Sequence, residues 1–421
     1  LAAGIAAAAV RTTPGWARAR RAGGLLVPMD HTQSDHLKAY GVTFRVLQRG
    51  QQAEWLLNYR GGGFLLPSDP ATVRDALLAG VRTETVDAGA EAELRGTIAA
   101  QNMDAVPLEK APRVAVYAPP NAAPWDDAVT MVMQYAGIAF DRVYDLEVLS
   151  DGLAGYDWLH LHHEDFTGQY SKFFLNYSGA PWLVEMVDRN QRLARQLGFA
   201  HVPALKQAVA DRLLRFVEQG GFLFAMCTAT ETLDLALASV ETDIAANYAD
   251  GSPMDRDAGS RMRWDRALAF QGARLEMSPA VPVFSDIDGH QVNALDRRQQ
   301  LGSFTLFNFS AKIDPVPTML VQNHRQVIPD FYGLTTSFHR QTLKPGVTIL
   351  ADEPGSPWAK YIRGDRGQGT WAFYGGHDPE DPQHAIGDAP TDLSTHPHSP
   401  GYRLILNNVL FPAAKKKELK T

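Results

Sequence analysis

GGFLFAMCTATETLDLAL, residues 220–237, decides how this chain is read. Its apolar run 222–226 follows a Gly-Gly turn, reads as a buried strand and delivers Cys227 at the carboxyl end. A helix over 232–238 leaves that strand at once. Strand, sharp turn and helix in succession is the local order that a nucleophile elbow requires. Upstream, the amphipathic spacing of 204–219 predicts a helix leading into the strand.

The alternation extends in both directions. RVAVYAP (113–119) reads as a buried strand, 126–137 as a helix closed by Gly137, and 142–144 and 156–161 as strands. Turn signals multiply between 241 and about 336, which predicts an insertion or an antiparallel extension of the sheet. Strands return at 347–351 and 371–374, the latter running into Gly375, Gly376 and His377, and a helix over 402–410 closes the segment. Residues 113–411 are therefore expected to form a doubly wound, mostly parallel α/β sheet, because strands alternating with helices bury both faces of a parallel sheet. Ahead of them, strands near 25–29, 55–59, 83–86 and 105–108 alternate with helices over 34–50, 71–79 and 90–100. They predict a smaller α/β domain over 23–110, again with a parallel sheet, joined through 109–112.

Composition narrows the function. The 421 residues are 45% hydrophobic, enough for a large buried core. With 40 basic against 47 acidic residues, a formal net of -7, nothing electrostatic favours nucleic acid as a partner. A single cysteine excludes an internal disulfide and a zinc site built from several thiolates. No apolar run approaches the ~20 residues that span a bilayer. The start, LAAGIAAAAV, has the length of the apolar part of a secretory signal. Residues 1–22 are thus expected to be a signal remnant and linker, and the protein to be exported, periplasmic or secreted; a frayed Ala-rich helix is the other reading. Residues 412–421 form a basic tail.

Cys227 and His377 each follow a predicted strand, at the edge where open parallel sheets carry their active sites. A thiol needs an imidazole partner to populate its thiolate near neutral pH, and an acid that orients the ring completes a triad. Glu380 is the first candidate for that acid and Asp378 the next. Packing is the competing reading of Cys227, since free cysteine is among the most buried residue types, and a carbonyl-satisfied ring is the competing reading of His377. HLHHED (160–165) sits at another strand end, with His160 and His162 on one face and His163, Glu164 and Asp165 reaching into a loop. These five, with Thr228 beside the cysteine and Arg60 in the glycine-rich turn NYRGGGF (58–64), are the candidate substrate contacts. A hydrogen-bonded pocket wall is the alternative for the histidine cluster, and a divalent ion, with help from His377, Asp378 or His384, is a third. No HExxH spacing supports an ion, so neither a metal nor a cofactor is expected.

Segment 220–237 and GTWAFYGGHDPED (369–381) together resemble the two signature segments of class I glutamine amidotransferases and their ThuA-like relatives, over roughly 113–411. Ala225 and Ala229 stand where that family has glycine, and two residues rather than one separate His377 from Glu380. The resemblance implies a flavodoxin-like core with Cys227 as nucleophile and His377 as base. Over nearly the whole chain, WLLNYRGG (55–62), WLHLHHEDFTGQY (158–170) and SPGYRLILNNVLFPAAKKK (399–417) resemble a bacterial family often labelled asparagine synthetase B. Glutamine-dependent asparagine synthetases use an N-terminal cysteine and a SerGlyGly loop. The one cysteine here is at 227 and that loop is absent, so asparagine synthesis is not expected.

Two functions stay open. One is an exported hydrolase-like or amidotransferase-like enzyme acting on an amide or related carbonyl; the other is an inactive ThuA-like module that binds a small molecule such as a sugar. A small-molecule substrate is the expected partner. Nucleic acid and a membrane span are not expected, and nothing in the sequence specifies an oligomer.

Overall fold

The computed structural model describes residues 23–120, 127–288, 301–314, 321–382 and 388–415. The expected signal segment, His384 and the end of the basic tail lie outside them. The first part runs β1 (Gly24–Val27), α1 (His36–Gln48), β2 (Ala53–Leu57), β3 (Gly63–Pro67), α2 (Pro70–Ala79), β4 (Glu84–Val86), α3 (Ala88–Ala100) and β5 (Asp104–Leu108). Its sheet has the order β4-β1-β3-β2-β5, and every pairing is antiparallel.

This corrects the expected parallel sheet. The cause is β3, whose FLLP directly follows the glycine turn and folds back along β2, with Glu54 opposite Leu65 and Leu56 opposite Gly63. One unread strand reverses the sense of everything after it. The turn needs left-handed backbone, which Asn58, Arg60, Gly61 and Gly62 supply at φ of 61, 49, 72 and 84°. Arg60 is pinned by ion pairs to Asp30 and, at 3.0 Å, to Glu84.

The larger sheet contains β6 (Val114–Tyr117), α4 (Ala128–Ala136), β7 (Asp141–Val143), α5 (Asp145–Leu149), β8 (Trp158–Leu161), α6 (Pro181–Gln196), α7 (Val202–Glu218), β9 (Phe222–Met226) and α8 (Thr228–Ala238). It continues through β10 (Ser303–Leu306), β11 (Val327–Pro329), β12 (Phe338–His339), β13 (Thr348–Asp352), β14 (Trp358–Arg366), β15 (Gly369–Tyr374) and α9 (Pro400–Leu410). The strand order is β11-β10-β13-β14-β15-β9-β8-β6-β7, with β12 beside β14. From β7 to β15 all neighbours are parallel; from β15 outward through β14, β13, β10 and β11 they are antiparallel. The sheet is mixed rather than mostly parallel, because β13, β14 and β15 are joined by short turns at 353–357 and 367–368 instead of helical crossovers.

Helices α1 and α9 are buried on nearly every side, as expected of helices enclosed within the fold. A single apolar cluster runs from Val27, Trp55 and Phe64 through Tyr40 and Phe44 to Met133, Leu406, Tyr374 and Phe224. The buried Arg403 of α9 ties the two sheets further, donating to Tyr40 Oη at 3.0 Å and to the Met29 carbonyl at 3.1 Å. On the far face of the large sheet, Leu205, Val209 and Leu213 of α7 pack with Leu159, Leu223 and Phe373. Among the described residues no helix is long and apolar enough to cross a membrane.

Candidate functional site

Three neighbouring parallel strands deliver the site. Phe222 of β9 lies in register with Trp158 of β8 on one side and Thr370 of β15 on the other, so the three carboxyl ends share one edge of the sheet. His162 and His163 follow β8, Cys227 follows β9, and His377 stands shortly beyond β15. One ligand-type atom from each of these four side chains lies within 4.8 Å of all the others. The His162 and His163 rings stack at 4.0 Å, and each centroid is 4.7 Å from that of His377. The expected convergence of Cys227 and His377 is present, but in company with two further imidazoles.

Cys227 has φ 50° and ψ -136°, between a strand and a helix. Its side chain is 2% exposed, and Sγ accepts the Leu334 N–H at 3.2 Å. Burial pushes the thiol up from its ordinary value, against the pull of backbone N–H groups from Leu334 and Thr335. Leu334 belongs to a loop before β12 that roofs the sulfur. That loop packs so tightly that a Cβ on Gly333 would stand 3.0 Å from the His377 amide nitrogen.

Asp127 lies behind the histidines. It caps α4 by accepting the Thr130 N–H at 2.8 Å, and its Oδ2 is 3.3 Å from His160 Nε2 and 3.5 Å from His162 Nδ1. His160 also contacts the Phe224 carbonyl through Nδ1 at 3.1 Å, which anchors its ring against the neighbouring strand. His162 is 1% exposed and neither ring nitrogen has a hydrogen-bond partner. Burial holds its imidazole below the ordinary range, with Asp127 pulling the other way.

The remaining expected residues divide. Asp165 organises its own loop, accepting N–H groups from Thr167, Gln169 and Ser171 at 2.8 to 3.1 Å. Thr228 is buried with Oγ1 3.8 Å from the Cys227 sulfur. Glu380 pairs with His396 at 3.1 Å, whereas Asp378 is buried and accepts the Thr391 hydroxyl at 2.7 Å. Arg60, committed to the first sheet, is neither in the four-residue cluster nor in the cavity beside it.

That cavity, about 340 Å³, opens between the carboxyl ends of β6 and β8 and is lined by Tyr117, Asp127, His162, His163, Glu164 and Lys206 among others. Lys206 Nζ lies 2.6 Å from Glu164, 2.9 Å from Asp145, and 3.1 Å from the hydroxyls of Tyr117 and Tyr144. Sequence reasoning missed Lys206 and Asp127. A signal for Lys206 was there, since it sits on the buried stripe of α7 between Leu205 and Val209. Asp127 falls inside the helix read over 126–137, and the structure makes it that helix's N-cap instead. The expectation of no ion rested on sequence spacing, which cannot show a set of ligands gathered from three strand ends.

No protein-family model matches the sequence, and no curated protein matches it. The solved structures similar to it include a cytoplasmic protein from Salmonella typhimurium, at 11% identity and a TM-score of 0.35 over 72% of this chain and 100% of that one. Another, from Salmonella typhimurium LT2, has 12% identity and a TM-score of 0.33 over 72% and 99%. A β-galactosidase from Bacillus circulans sp. alkalophilus has 11% identity and a TM-score of 0.26, over 62% of this chain and 28% of that one. Likeness at these scores carries no inference about activity.

Proposed function

We propose that the protein is an exported hydrolase-like or amidotransferase-like enzyme acting on an amide or related carbonyl of a small molecule, with Cys227 as nucleophile and His377 as base. The observation that carries this reading is the Cys227 backbone, at φ 50° and ψ -136° on the β9–α8 turn, with a ring nitrogen of His377, from beyond the adjacent strand, within 4.8 Å of the Cys227 sulfur. A non-glycine residue held there costs roughly 1–3 kcal/mol, and such strain collects at functional sites. In the reaction the thiol proton passes to the His377 ring and the thiolate attacks the carbonyl carbon. The C–N bond then breaks and the amine leaves with that proton. Water, deprotonated by the same ring, finally cleaves the thioester. Of the two candidate orienting acids, Glu380 pairs with His396 and is partly exposed while Asp378 is buried next to His377 in the chain, and Asp378 is assigned the role.

The fold supports the same reading at a finer level. Numbered along the chain, the parallel strands β7-β6-β8-β9-β15 have the order 2-1-3-4-5 of flavodoxin-like, doubly wound sheets such as the amidotransferase core. The cavity stands at the switch point of that order, between its first and third strands. The test is ammonia release from a panel of small amides: Cys227→Ala should abolish it with the fold intact, and turnover surviving that substitution removes the reading.

One observation favours the inactive binding module instead. Cys227 is buried, its thiol is pushed up, and it does not line the cavity that His162, His163 and Glu164 wall. A thiol that alkylates only on unfolding, together with sugar or other small-molecule binding that survives Cys227→Ala, would support this alternative.

A further inference from the structure

We propose that His162, His163, His377 and Cys227 form a binding site for a thiophilic divalent transition ion, zinc foremost. The donor set is the first reason. Imidazole nitrogen and thiolate sulfur are the ligands of zinc and its neighbours, while magnesium and calcium take oxygen. Geometry supplies another. A tetrahedral ion with bonds of about 2.0–2.3 Å needs ligand atoms roughly 3.3–3.8 Å apart. The four side chains here already lie within 4.8 Å of one another, so an ion requires a contraction of at most about 1–1.5 Å. They follow three neighbouring, in-register strands of one sheet, which fix the backbone from which they extend.

The third reason stands outside the cluster. A metal-bound histidine usually turns its other nitrogen toward a carboxylate, which fixes its tautomer and raises its basicity. Asp127 Oδ2 faces His162 Nδ1 at 3.5 Å, and the carboxylate is itself fixed by the α4 cap and by His160. His162 Nε2, buried and without a hydrogen bond, is left for the ion. A ring buried in this way, with a carboxylate behind it and a thiol and two imidazoles beside it, is missing one partner that a cation supplies.

This inference goes beyond the thiol chemistry proposed above and does not need it. An ion held by the sulfur leaves no thiolate to attack, so a loaded chain is silent toward amides and toward alkylating reagents, and a stripped chain is not.

The test uses the full chain, stripped with a chelator and titrated with cobalt(II), then with zinc. One cobalt per chain is expected, with the absorption of a tetrahedral ion and a thiolate-to-cobalt charge-transfer band, both lost as one equivalent of zinc displaces it. Cys227→Ser should keep the near-UV circular dichroism of the parent while losing the charge-transfer band. Asp127→Asn, which touches no ion, should weaken binding by about 10–100-fold. The partly exposed His163 offers the variant least able to disturb folding, and His163→Gln, which removes a direct ligand, should weaken binding at least as much as loss of an outer-shell partner does, about tenfold or more. Folded wild-type protein that shows no band, or variants with the parent's band and affinity, would overturn the site. Amide turnover by stripped protein is scored separately, so loss of the metal site and loss of the hydrolase reading are distinct results.

Discussion

Lys206 Nζ lies 2.9 Å from Asp145 Oδ2, the two side chains being 1% and 0% exposed. With Glu164 at 2.6 Å, one buried ammonium serves two carboxylates at the wall of the cavity. Removing one partner of such a set strands the others in a medium that solvates charge poorly. Lys206→Met should therefore destabilise the fold by about 3–5 kcal/mol, read as a lower urea midpoint. A loss below ~1 kcal/mol would mean that water reaches the carboxylates and that the group is not closed.

Glu231, one turn into α8, is pushed from its ordinary 4.5 up to about 8 by burial first, with Asp288 adding to the shift. Hydroxyls of Ser285 and Thr335 donate to it at 2.6 and 3.2 Å and oppose the shift without cancelling it. Between 4.5 and about 8 the folded protein keeps a proton that the unfolded chain has released, so stability falls as pH rises through that window. The loss is on the order of a few kcal/mol. Glu231→Gln should flatten the slope between pH 5 and 8 in urea titrations. A variant that retains the parent's slope would place its origin elsewhere.

What the sequence disclosed follows from burial. Strands β6, β8, β9 and β15 are apolar nearly throughout because parallel strands are covered on both faces, and they were legible. β3 was not, because its FLLP reads as the tail of a glycine turn. β14 was not, because Lys360, Arg363, Asp365 and Arg366 make it resemble a loop. Lys360 is in fact buried, held by Asp330 at 2.5 Å and by the Phe331 carbonyl at 2.7 Å, partners some thirty residues away that no local pattern can show. The site divides in the same way. Cys227, directly beyond one strand end, and His377, two glycines beyond another, could be picked out, whereas Lys206 and Asp127 acquire meaning only when other elements are packed against them.

Gly41 of α1 faces the end of α4 so closely that an added Cβ would stand 1.7 Å from the Ala136 carbonyl oxygen. The obstacle is backbone, which cannot swing aside as a side chain does. Gly41→Ala must push the helices apart in the layer that joins the two sheets, at a cost above the 1–3 kcal/mol typical of overpacking. Thermal unfolding should show a drop of several degrees at least. An unchanged midpoint would show that α1 can shift freely, contrary to its burial on nearly every side.

The last prediction concerns the elbow and compares two substitutions at one residue. In ordinary strand or helix backbone, glycine is less favourable than alanine by roughly 0.5–1 kcal/mol, since it loses more freedom on folding. At φ 50° and ψ -136° the order should reverse, because a Cβ crowds the chain there and glycine has none. Both Cys227→Ala and Cys227→Gly delete the sulfur that accepts the Leu334 N–H at 3.2 Å, so that loss is common to the pair and cancels in the comparison. What remains is the backbone term, offset in part by one methyl of lost packing. Cys227→Gly should thus be more stable than Cys227→Ala by about 1 kcal/mol in matched urea titrations. Alanine as the more stable of the two would mean that the residue relaxes out of this conformation once the sulfur is gone. The strain would then be imposed by the sulfur's own contacts, and the turn would no longer be evidence of a backbone built to present a nucleophile.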